Sequence, residues 1–129
     1  MRVLIIEDDE AISEAIASLL EDCGYSASRA ADGRLGLEAL RSGAKPSLIL
    51  LDMAMPGMNG WRFREEQMKD SGLADIPVLV LTADSRAEET ARELGAAGWL
   101  RKPVDPRRLL STVEKLCTPP PGGDRGQAR

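Results

Sequence analysis

Five short strand-like runs, most of them apolar and each followed by a segment with apolar residues at helical spacing, constrain this chain more than any other feature. Val3–Ile6 leads into Ala11–Asp22, where Ile12, Ile16, Leu19 and Leu20 share one face and predict a helix. Ser26–Ala30 is polar and reads as a strand at a sheet edge, and Gly33–Arg41 as a short helix with Leu37 and Leu40 inward. Ser47–Leu51 ("SLILL") is the most apolar run and predicts the central strand, followed by a helix over Gly60–Asp70. Ile76–Leu81 ("IPVLVL") predicts another buried strand, and Arg86–Leu94 a helix whose apolar side is mostly Ala. Trp99–Arg101 is a brief strand, and Pro106–Cys117 a last helix with Leu109, Leu110, Val113 and Leu116 inward. Alternation at these lengths predicts an α/β fold, a parallel sheet covered on both faces. Right-handed crossovers leave few topologies, and the expected one is a doubly wound (βα)5 three-layer sandwich with strand order 2-1-3-4-5. Residues 118–129 ("TPPPGGDRGQAR") lose all periodicity and are expected to be a disordered tail or a linker, so the folded unit is placed at 1–117.

Composition narrows the function. A chain of 129 residues suits one domain with one core. Its net charge of −4, the lack of a long basic stretch and only three Trp or Tyr rings (Tyr25, Trp61 and Trp99) argue against direct nucleic-acid binding. No apolar run approaches the roughly 20 residues needed to span a bilayer, and acidic residues follow at once on the first strand, so no signal peptide is read. A cytoplasmic chain without membrane contact is expected. Cys23 and Cys117 show no metal-ligand spacing and read as small buried hydrophobes near helix ends. Trp61 reads as a packing residue. There is no histidine, which removes Ser-His-Asp and Cys-His catalysis and the commonest zinc ligand. Chemistry must rest on carboxylates, hydroxyls, lysine and a hard cation.

In an open parallel sheet, ligands bind beyond the carboxyl ends of the strands, where the strand order reverses. The first strand delivers Glu7 and Asp8 there, the third Asp52, the fourth Thr82 and the fifth Lys102. Three converging carboxylates repel one another unless a cation sits between them. All are hard oxygen ligands, so Mg²⁺ is the expected occupant, with a backbone carbonyl just past Asp52 to complete the protein's share. Lys102 and Thr82 then offer an ammonium and a hydroxyl to the oxygens of a phosphoryl group. Asp52, on the central strand, is the expected nucleophile, since a carboxylate can attack phosphorus and form an acyl phosphate. The run "EDDE" thus divides: Asp9 is placed to cap the first helix, and Glu10 to favour the positive end of its dipole.

Read in order, "VLIIEDDEAI", "LILLDMAMPGMNGW", "IPVLVLTAD" and "GAAGWLRKPVDP" resemble the receiver domain of two-component response regulators over residues 1–117, a flavodoxin-like fold. The resemblance implies that Asp52 accepts phosphate from a sensor histidine kinase, a phosphotransfer protein or a small donor such as acetyl phosphate. It implies direct Mg²⁺ ligation by Asp8 and Asp52, a water-mediated role for Glu7, and a ligand in the Ala54 carbonyl. Thr82 and Lys102 would contact the phosphoryl group, and the Lys102-Pro103 bond would be cis. The surface of the fourth helix, fifth strand and fifth helix would switch and control an effector or output domain, as a monomer or a phosphorylation-dependent dimer. Such a domain is a regulator that catalyses its own phosphorylation and dephosphorylation rather than a true enzyme. The sequence shows no output domain, so a stand-alone receiver and a piece of a longer regulator are both expected forms. Two positions depart from the pattern: Trp99 replaces the usual Tyr or Phe, and "GAAGW" lacks the acidic residue that winged-helix regulators often carry for dimer salt bridges. The alternative is a phosphatase of haloacid dehalogenase type, which would need its nucleophile after the first strand and an inserted cap.

Overall fold

In the computed structural model the described residues are 1–43, 45–55 and 57–117. The expected tail or linker at 118–129 lies outside them. The elements run β1 (Arg2–Ile6), α1 (Glu10–Asp22), β2 (Ser26–Ala30), α2 (Gly33–Ser42), β3 (Leu48–Asp52), α3 (Gly60–Lys69), β4 (Val78–Thr82), α4 (Ala87–Leu94), β5 (Gly98–Arg101) and α5 (Pro106–Cys117). The five strands form one sheet of order β2-β1-β3-β4-β5, every neighbouring pair parallel. That is the topology expected from the sequence.

The period-two pattern divides the core into two layers. Leu4, Ile6, Ile49, Leu51, Val78 and Val80 meet Leu37, Leu40, Phe63 and Leu94 of α2, α3 and α4 on one face. Val3, Ile5, Leu48, Leu50, Leu79 and Leu81 meet Ile16, Leu20, Leu109 and Val113 of α1 and α5 on the other. A strand buried on both faces has no polar side to show, which is why β1, β3 and β4 read as continuous apolar runs. Each fully buried aliphatic chain contributes about 1.5–3 kcal/mol.

β3 and β4 lie further along the chain than their apolar runs suggest. Met53 N–H bonds to Leu81 O at 3.1 Å and Lys102 N–H to Thr82 O at 2.9 Å, so Asp52 and Thr82 stay within the ladder. At the other end of β4, Pro77 has no N–H to give and constrains Ile76, whose own N–H turns back to Leu73 O. α3 starts hard against β3: a Cβ on Gly60 would collide with the Met53 side chain and come within 3.0 Å of its Cα. Two sequence expectations need correction. Cys117 is buried but Cys23 is exposed, because α1 stops at Asp22 and the chain turns away through Gly24 at φ 95° before residue 23 can join the inward stripe. Trp61 is 44% exposed, placed on the outer side of α3 by its position next to the buried Gly60 and two residues before Phe63.

Candidate metal and phosphoacceptor site

The register of the sheet sets the site. Ile6 pairs with Leu51, so the next residues, Glu7 and Asp52, stand side by side at the strand ends, and Asp52 in turn pairs with Leu81, one residue short of Thr82. Thr82 pairs with Arg101, which brings Lys102 alongside. Four strands thereby end together, β1 leading into Glu7 and Asp8, β3 ending on Asp52, β4 on Thr82 and β5 leading into Lys102. One oxygen from each of Glu7, Asp8 and Asp52 lies within 4.8 Å of the other two.

Glu7 and Asp52 are 2% and 1% exposed, whereas Asp8 is open to solvent. Lys102 Nζ lies 3.1 Å from Asp52 Oδ1, to which it donates a hydrogen bond, and 3.0 Å from Glu7 Oε1, an ion pair without hydrogen-bond geometry. Asp9 N–H donates to Glu7 Oε2 at 3.2 Å and Ala54 N–H to Asp52 Oδ1 at 3.2 Å. That leaves Glu7 Oε1 and Asp52 Oδ2 buried without a hydrogen-bond donor. Burial pushes the Glu7 carboxyl up to about 7 and the adjacent Asp52 adds to the push, while Lys102 and the Asp9 amide pull it back. Burial draws the Lys102 ammonium down, but Glu7 and Asp52 outweigh it and leave it raised. One ammonium against three carboxylates leaves negative charge in excess. Two buried, undonated oxygens beside a third acid are the donor set of a hard divalent cation, so the residues present fit one.

Thr82 is buried at the end of β4, and its Oγ1 accepts the Asp84 N–H at 3.1 Å. Asp9 caps α1 as expected, its Oδ1 accepting the Ile12 N–H at 3.1 Å, with Glu10 in the first turn. The Lys102-Pro103 bond is cis. Trp99 is half-buried against the layer formed with α2, α3 and α4. The sequence reading brought every named side chain to the right strand end but missed that Lys102 bridges Glu7 and Asp52 directly. It also passed over Arg64 and Gln67, polar residues buried under α3. Their signal was present, because Gly60, Phe63, Arg64 and Gln67 follow the i, i+3, i+4, i+7 stripe of an inward face.

A family model described as the response regulator receiver domain matches residues 3–114. The chain is 38% identical over 117 residues to the DNA-binding dual master transcriptional regulator RpaA of Synechocystis sp., covering 89% of this chain and 48% of that protein. It is 32% identical over 117 residues to protein PilH of Pseudomonas aeruginosa, covering 89% of this chain and 96% of PilH. It therefore spans about half the length of the first relative and nearly all of the second. Among solved structures, the chemotaxis response regulator CheY4 of Vibrio cholerae superposes with a TM-score of 0.82 at 33% identity, over 89% of this chain and 97% of that one.

Proposed function

The chain belongs to the response regulator receiver domain family of two-component signalling, and from that premise we propose that Asp52 is its phosphoacceptor and that Glu7, Asp8, Asp52 and the Ala54 carbonyl hold Mg²⁺. The observation that carries this reading is the placement of Asp52: nearly inaccessible on the central strand, one oxygen undonated, the other held by Lys102. In the reaction, an Asp52 carboxylate oxygen attacks phosphorus, the bond to the donor's nitrogen or acyl oxygen breaks, and the donor leaves with that electron pair. Lys102 gives its N–H bonds to the phosphoryl oxygens as charge builds on them, and Thr82 gives its hydroxyl proton as a further bond. Mg²⁺, when bound, supplies the remaining positive charge. Self-catalysed phosphorylation and dephosphorylation follow from the same groups. No observation favours the phosphatase alternative, since Asp52, the acid to which Lys102 donates its hydrogen bond, stands on β3, and the buried acid that follows β1 is Glu7.

The donor protein must bring its phosphorus to this mouth. A groove of about 260 Å³ beside Lys102, lined by Ile12, Ala15, Ile16, Leu19, Val104 and Pro106, offers it apolar surface. We assign that groove to a histidine kinase or phosphotransfer protein, and the α4, β5 and α5 face to an effector or output domain. RpaA is by name DNA-binding; here DNA contact is left to any partner or output domain. The receiver unit at 1–117, its tail or linker at 118–129 and its cytoplasmic location belong to the same proposal. Acetyl phosphate with Mg²⁺ is expected to add one phosphoryl group by intact mass, and Asp52→Asn to abolish it. Labelling that persists in Asp52→Asn would refute the assignment.

A further inference from the structure

α4 is held very differently at its two ends. At the N-terminal end, the cap residue Arg86 makes no side-chain capping bond, and the inward residues Ala87 and Ala91 are small. The approach from β4 rests on two short links, Asp84 N–H to Thr82 Oγ1 at 3.1 Å and Arg86 N–H to Asp84 Oδ1 at 2.8 Å. At the C-terminal end, Arg64 reaches across from α3. Its Nε donates to Leu94 O at 2.9 Å and its Nη2 to Gly95 O at 3.0 Å. Those carbonyls carry the negative end of the helix dipole, and a planar guanidinium can hold two at once. Gly95 turns the chain at φ 68°, and a Cβ there would meet Arg64 Nη2 at 3.7 Å.

The third nitrogen of the fork, Nη1, donates to Gln67 Oε1 at 2.8 Å. Gln67 is fully buried, and its amide nitrogen donates to Leu73 O at 2.9 Å and Ile76 O at 3.1 Å, in the segment that enters β4. Arg64 itself is 8% exposed, and its partners are carbonyls rather than carboxylates. A buried cation so placed cannot leave without stranding several polar groups away from water.

We propose that Arg64 and Gln67 form a buried clamp that fixes the C-terminal end of α4 and the entry to β4 onto α3, so that α4 moves as a lever hinged at Leu94–Gly95. The clamp stands on these contacts alone. Its part in signalling rests on the phosphoacceptor reading: when Thr82 Oγ1 is drawn to a phosphoryl group on Asp52, it releases Asp84 N–H, and the uncapped end of α4 swings while the clamped end stays.

Two arms test this on the full chain. In amide exchange followed by NMR, the Ala96 amide, bonded to Ala91 O, should exchange about tenfold more slowly than the Thr90 amide, bonded to Arg86 O. In Arg64→Met the Ala96 rate should rise about tenfold while Ile5 and Leu50 in the sheet keep theirs. Unchanged Ala96 protection in that variant overturns the clamp. If the variant does not fold, the wild-type order decides, and Thr90 protected as well as Ala96 overturns it. In the second arm, acetyl phosphate with Mg²⁺ should shift backbone resonances over 83–90 and leave 94–97 nearly in place. Equal shifts in both segments, with phosphate confirmed by mass, overturn the lever. Absence of any phosphate by mass overturns the phosphoacceptor reading instead, and the clamp then stands or falls on the exchange arm.

Discussion

Glu7 is the residue with most at stake in the metal-free protein. Its folded-state affinity for a proton is raised, to about 7, chiefly by burial and then by Asp52. The folded chain therefore holds a proton that the unfolded chain has already lost, and stability should fall as pH rises from about 4.5 to about 7, then level off. The loss amounts to roughly 3 kcal/mol, and denaturant titrations in chelator across that range would measure it. Glu7→Gln should flatten the curve, and an undiminished slope in that variant would assign the titration elsewhere. Saturating Mg²⁺ should act in the opposite sense at high pH, adding about 2.7 kcal/mol at a hundredfold excess over Kd, and Asp8→Asn should blunt the gain. The acids of this site were legible because chain order and strand period place them. The Lys102 bridge was not, because which neighbour an ammonium chooses depends on side-chain rotamers that no periodicity encodes.

At the scale of elements, α1 carries two separable tasks. Its N-terminus is closed by Asp9, whose side chain takes up the Ile12 N–H, so Asp9→Ala should cost about 1 kcal/mol while leaving phosphorylation intact. Thermal melts and acetyl phosphate labelling of the same sample would separate the two effects, and a loss of labelling would draw Asp9 into the chemistry. Its outer face borders the groove beside Lys102, where Ala15 is exposed. Ala15→Arg should slow transfer from a histidine-phosphorylated protein by about tenfold or more and leave acetyl phosphate labelling unchanged. Equal rates with the protein donor would remove the groove from the docking surface. α3 shows where element-level reading stops. The helical stripe of "GWRFREEQMK" marks Arg64 and Gln67 as inward, but it does not say what they meet there, which is carbonyls from α4 and the β4 approach. Those carbonyls come from residues some thirty and about nine positions away, beyond any local pattern.

The whole molecule is a sheet that grows more exposed toward its edges, most of all at β2. β3 and β4 are buried throughout, whereas β2 pairs only with β1 and shows most of its side chains to solvent. Amides of β2 should therefore exchange faster than those of β3, and the reverse order would contradict the layering. This gradient was legible from composition alone, since "SASRA" and "LILLD" differ so plainly. The two cysteines were less so, and their difference has a practical side. Cys117 sits in the core with its thiol pushed up by burial, while Cys23 stands in solvent at the far end of α1. The thirteen residues of that helix separate Cys23 from the acids by roughly 20 Å. A maleimide dye should accordingly attach at a single position of the unaltered chain, remote enough to leave the chemistry undisturbed and to report on it from outside.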